Sequence, residues 1–162
     1  MKILIPVDGS NASINATKKA IEIARKDGSS LKMISVIKID VLKDYKRNSK
    51  MWQLADGSLL DVNIVPINDN DVLKIIREKT YEIIDSILST VDIRGIQFEK
   101  DVLVGDPHEV ILETAKNENF DLIVMGNRGS SKLKRFFVGS VTQKVISEAP
   151  CPVLVINAEE LL

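Results

Sequence analysis

Five short apolar runs punctuate the chain, and between them lie four stretches whose apolar residues recur every three or four positions. The first run, "KILIPV", is continuous, as a strand buried on both faces requires. "DGSNAS" breaks it, and Ile14, Thr17, Ile21 and Ala24 then recur at helical spacing until "KDGSS". "LKMISVI", Leu31 to Ile37, reads as a second strand. Val72, Ile76, Thr80, Ile83, Ile87 and Val91 mark a long amphipathic helix. "IQFEKDVLVG" is a partly alternating third strand. In the helix that follows, Asp106 stands as the cap, Pro107 at the first helical position, and Glu109 where a capping box wants it. "FDLIVMG" is the fourth strand, "GSVTQKVISEA" the last helix, stopped by Pro150 and Pro152, and "PVLVI" the fifth strand.

Strict alternation of strand and helix predicts an α/β fold: one open, five-stranded parallel sheet with helices on both faces and right-handed crossovers. In such sheets a ligand lies beyond the carboxyl ends of the strands, where the strand order reverses. Two strand ends carry unusual chemistry, "PVDGS" after the first and "MGNRGSS" after the fourth. Placing those strands side by side joins both loops in one crevice. One region resists the pattern. Residues 38–71 are polar and mixed, with "DYKRNSK", a lone Trp52, "ADGS" and "VNIVP", and are too long for a plain connection. They read as a functional or mobile insertion within a single domain spanning 1–162.

Composition narrows the function classes. With 22 Lys and Arg against 23 Asp and Glu, the formal charge is −1, which argues against a dedicated nucleic-acid binder. No apolar run approaches the ~20 residues of a membrane span, and "MKILIPVDGS" lacks the shape of a signal peptide. A lone Cys151 forms no internal disulfide. The expectation is a cytoplasmic protein with no membrane partner. The charge is unevenly spread, however. Between Asp121 and Glu148 there is no acid, while Arg128, Lys132, Lys134, Arg135 and Lys144 are basic.

That basic stretch also holds Gly126, Gly129 and Gly139 with Ser140 beside it. Glycines let backbone amides approach an anion, and a helix start favours negative charge. The plain alternative is tight turns and an ordinary serine cap; the acid-free surroundings favour phosphate. GxxxxGK[ST] is absent, and so is GxGxxG after the first strand. Present instead are Gly126, two residues, Gly129, nine residues, Gly139 and Ser140.

Here the chain resembles the universal stress protein family, in its ATP-binding branch with the pattern G-x2-G-x9-G-[ST]. The resemblance extends through "ILIPVDGS", "VGDPHEVI", "DLIVMGNRG", "VGSVTQKVI" and "PCPVLVI". It implies a Rossmann-like fold of the adenine nucleotide alpha hydrolase type, with strand order 3-2-1-4-5. It further implies that Gly126, Gly129, Gly139 and Ser140 surround the phosphates, with Asn127, Arg128 and Val141 lending contacts and Thr142 within reach. Asp8 would face the ribose or a metal, Mg²⁺ or Mn²⁺. Pro6 and Val7 would line the adenine pocket, Val36 would meet the adenine edge, and Met125 would pack beside the nucleotide. A homodimer through the last strand is also implied, in keeping with the apolar edge that "PVLVI" would otherwise leave open.

Other residues read more plainly. Asp8 can equally be a turn residue satisfying nearby amides. His108, the only histidine, reads as a solvated helix-start residue, and Cys151 as small, buried and inert. Two functions compete: a nucleotide-dependent regulatory or switch protein of the stress response, and a slow ATP hydrolase. Only Asp8 offers a carboxylate near the expected phosphates, which favours binding over turnover. A receiver-like domain phosphorylated on aspartate ranks last, because Asp106, after the third strand, better serves as a cap.

Overall fold

The computed structural model describes residues 1–38, 52–53, 59–60, 69–127 and 138–158. Its elements follow the order β1 (Lys2–Pro6), α1 (Asn11–Asp27), β2 (Ser30–Lys38), β3 (Trp52–Gln53), β4 (Leu59–Leu60), α2 (Asp69–Ser89), β5 (Phe98–Gly105), α3 (Pro107–Asn117), β6 (Leu122–Gly126), α4 (Ser140–Glu148) and β7 (Val153–Ile156). Five strands form one parallel sheet in the order β5-β2-β1-β6-β7, the expected 3-2-1-4-5 when only its own strands are counted. The chain steps outward from β1 to β2 and β5, then returns to the other side of β1 with β6. The order therefore reverses between β1 and β6, as the two loop chemistries required.

Local signals set the helix ends. Ser10 caps α1 by accepting from the Ser13 amide at 3.2 Å, and Gly28 ends it in the left-handed region at φ 70°, its N–H on the Ala24 carbonyl. Asp106 caps α3 through the His108 amide at 3.1 Å, with Pro107 in the first turn. Glu109 stays exposed. The helix expected to reach Val91 ends at Ser89, and Val91 still packs against the core from the following turn.

The helices divide between the sheet's faces. On one, α1 and α2 cover Ile3, Ile5, Met33, Val102 and Val124 with Ala16, Ala20, Ile76 and Ile84. On the other, α3 and α4 cover Leu4, Ile34, Ile123 and Met125 with Ile111, Ala115 and Val145. The central strand β1 buries Ile3, Leu4 and Ile5 completely, which explains its unbroken apolar run. Within the insertion, β3 and β4 pair antiparallel, Trp52 opposite Leu60 and Gln53 opposite Leu59. No described helix is long and apolar enough to cross a membrane.

Candidate functional site

The site lies at the carboxyl edge of β1, β2 and β6. Pro6, the last β1 residue, pairs with Ile34, so Ser35 to Lys38 run on past β1 along β5. Val7 continues the ladder by donating to the Ile34 carbonyl at 2.8 Å. Half-buried Val36 thus overhangs the end of β1. Val7 and Met125, each 5% exposed, are core residues that offer a ligand little beyond their edges. Val7 belongs to the α1 face and Met125 to the α4 face.

Asp8 does form the turn before α1. Its Oδ1 accepts from the Ser10 amide at 3.0 Å and from the Ser10 hydroxyl at 2.6 Å. Both bonds fall on Oδ1. Among the described residues no group of three His, Cys, Asp or Glu side chains stands ready for a metal. A cation here would take Asp8 and complete its shell from ligand and water.

Across the crevice, Asn127 follows the end of β6. Its N–H donates to the Ile156 carbonyl at 2.7 Å, and its carbonyl accepts from Gly139 N–H at 2.8 Å. Gly139 is the cap residue of α4, at φ −62° and ψ 151°, and among the described residues no side chain caps this end. The contrast with the side-chain caps of α1 and α3 is direct. No acid occupies the first turn of α4, so its free amides and dipole remain available to an anion. Ser140 is exposed and Val141 half-buried at this helix start. The Asn127 side-chain oxygen adds a second sign of an unmet need, because it is buried and has no hydrogen-bond partner among the described residues. A buried acceptor left so costs about 1–3 kcal/mol. The free amides of α4 and this orphaned group fit a phosphate-bearing ligand with its own donors or bridging water.

Two of the expected phosphate residues have other work. Thr142 is 3% exposed and its hydroxyl donates to the Gly126 carbonyl at 2.9 Å. It staples α4 to the end of β6, and its one proton is not available to phosphate. Gly126 is buried, and a Cβ there would lie 2.7 Å from the Ala12 Cβ and 2.9 Å from its carbonyl carbon. Glycine is required at this position for the close approach of α1 to β6. Arg128, Gly129 and the cluster Lys132, Lys134 and Arg135 lie outside the described residues.

His108 departs from its expected solvation. Its side chain is only 15% exposed, with Nδ1 against the Asp106 carboxylate and Nε2 3.5 Å from Lys144 Nζ on α4. Desolvation pushes the Asp106 carboxyl up. Hydrogen bonds from the His108 amide and ring and the nearby Lys144 charge more than offset this, leaving it below the ordinary carboxylate range. Asp106 is thus the cap of α3 and a partner of His108. Cys151 is half-buried, and desolvation with the nearby Asp121 charge pushes its thiol up, away from the reactive thiolate.

Comparison with known proteins agrees with the family resemblance and with the fold. The family model described as Universal stress protein family matches residues 1–157. Universal stress protein MJ0531 of Methanocaldococcus jannaschii is 30% identical over 96% of this chain and 81% of its own. The solved structure of hypothetical protein MJ0577 superposes with a TM-score of 0.76 at 25% identity, covering 98% of this chain and 96% of that one. Two structures of lower identity share the fold. A universal stress protein in complex with cAMP has a TM-score of 0.59 at 22% identity, covering 98% of each chain. An Arabidopsis thaliana family member with AMP bound has a TM-score of 0.53 at 17% identity, covering 99% of this chain and 93% of that one.

Proposed function

We propose, from the premise that this chain belongs to the universal stress protein family, that it binds ATP at the β1–β6 crevice and acts as a nucleotide-dependent switch in the stress response. The observation that carries this reading is the start of α4, a helix N-terminus without side-chain cap or acid, beside the orphaned Asn127 oxygen at the reversal point of the sheet. In this reading the amides of Ser140, Val141 and Thr142 and the Ser140 hydroxyl receive phosphate. Asp8 orients the ribose or a phosphate-bound Mg²⁺ or Mn²⁺, and Pro6, Val7 and Val36 flank the base. Arg128, Gly129 and Val141 complete the phosphate contacts. Relatives of this fold described with cAMP and AMP support the adenine class.

A slow ATP hydrolase is the second reading, and one observation weighs against it. Asp8 is the lone carboxylate of the crevice among the residues assigned to it, and its Oδ1 is already engaged by Ser10. Phosphoryl transfer to water needs a positioned water and a well-held metal.

Thermal unfolding with ATP and with ADP tests the proposal. A ligand that binds only the folded chain stabilises it by about 2.7 kcal/mol at a hundred times its Kd. ATP is expected to raise the midpoint more than ADP. No shift with any adenine nucleotide overturns the reading. Single-turnover hydrolysis near the ~10 s⁻¹ median of enzymes, lost in Asp8→Asn, would establish the hydrolase instead.

A further inference from the structure

His108 and Lys144 lie outside the nucleotide contacts assigned above, yet they border them. Lys144 sits one helical turn beyond Ser140 on α4, and side chains on a helix lean toward its N-terminus. From that position the side chain has the length to reach toward the free amides that would hold phosphate. Its ammonium is instead held by a group on another helix, the His108 imidazole at 3.5 Å. The imidazole is itself fixed by Asp106, which sits against Nδ1. Among the described residues, the charged groups facing His108 are Asp106 on its own turn and Lys144 on α4; Glu109 is exposed.

The pairing dictates how the trio responds to a proton. In neutral His108, Nδ1–H donates to Asp106 and Nε2 is left as an acceptor for Lys144. A proton taken from solvent onto Nε2 converts that acceptor into a donor. It also places two positive charges where one stood, and the longer, exposed Lys144 side chain is the one free to move. Asp106 holds the imidazolium by its other nitrogen.

We infer that His108 is a pH-responsive tether for Lys144, releasing the ammonium toward the phosphate end of the crevice when the imidazole is protonated. The inference rests on the proposed nucleotide site and adds a regulation to it. Acidification then strengthens nucleotide binding by adding one charge and freeing another. By reciprocity, bound nucleotide favours protonated His108.

His108 is the chain's only histidine, so its ring protons give an unambiguous NMR titration. Saturating ATP, with binding followed separately by calorimetry, is expected to move the midpoint of that titration to higher pH. ATP affinity of the wild type should rise about fivefold between about pH 7.5 and about pH 5.5, relative to His108→Gln. Titration of the phosphates themselves is common to both proteins and cancels. Lys144→Met, at an exposed position, should keep the fold and lose most of the acid gain. Saturable binding with an unmoved midpoint, or equal pH dependence in His108→Gln, overturns the tether and leaves the nucleotide reading intact. An undiminished gain in Lys144→Met does the same. Absence of any calorimetric binding overturns both.

Discussion

Two glycines show how differently one residue type can be required. Gly28 sits at φ 70° with nothing within 4 Å of a built Cβ, so its reason is backbone conformation alone. Gly126 is the opposite case, with Ala12 and Ser13 of α1 filling the space a side chain would take. The atoms in the way are a short side chain and backbone, and neither can rotate aside. Gly126→Ala should therefore destabilise the chain by about 1–3 kcal/mol through displacement of α1. Gly28→Ala should cost only about 1 kcal/mol. Urea unfolding of both variants checks this, and equal losses would refute the steric account. The spacing from Gly126 to Gly139 was legible in the sequence, but this reason for Gly126 was not, because the obstructing atoms belong to a helix far away along the chain. His108 was misjudged for the same cause. Its cap partner is local, whereas the α4 lysine that covers it comes from another part of the sequence.

At the scale of elements, the helices and sheet strands could be read because their signals are local. Ser10, Gly28, Asp106 and Pro107 act within a turn of where they stand. The β3–β4 hairpin could not be read, since strands of two residues carry no periodicity. The start of α4 combines both situations. Its missing cap could be anticipated from Gly139, but the bond that fixes its position could not. Thr142 ties that first turn to the Gly126 carbonyl, and Gly139 N–H to the Asn127 carbonyl closes the two ends of the intervening segment. Thr142→Val keeps the shape and removes the buried bond, which should cost about 1–2 kcal/mol. ATP affinity should fall with it, because the amides lose their fixed position. A variant as stable as the wild type in urea would show that α4 is held without this bond.

At the scale of the whole molecule, the five-stranded sheet has two edges, β5 and β7, and they are not alike. On β5, alternate residues turn their backbone groups away from β2, and Val102 is among them, since Leu31 takes its bond from the carbonyl of Gln97. Both outward groups of Val102 are occupied by side chains: its N–H by Asp101 Oδ1 at 2.8 Å, its carbonyl by Arg77 Nη1 at 2.8 Å. Those contacts blunt the β5 edge against pairing with another chain. At the β7 edge every residue from Val153 to Ile156 is apolar and only half-buried. This asymmetry supports a homodimer through β7, each copy pairing with its symmetry mate. The register also decides which amides are involved. The carbonyls of Pro152 and Ile156 bond to β6, so Leu154 between them turns the same way. Proline at Leu154 would therefore injure the sheet itself. Val153 and Val155 point their amides outward, and Val155→Pro removes one donor from the free edge while the β6 ladder stays whole. Sedimentation at micromolar concentration should show a dimer for the wild type and a folded monomer for Val155→Pro. A wild-type monomer, or a Val155→Pro dimer of unchanged affinity, would remove β7 as the interface.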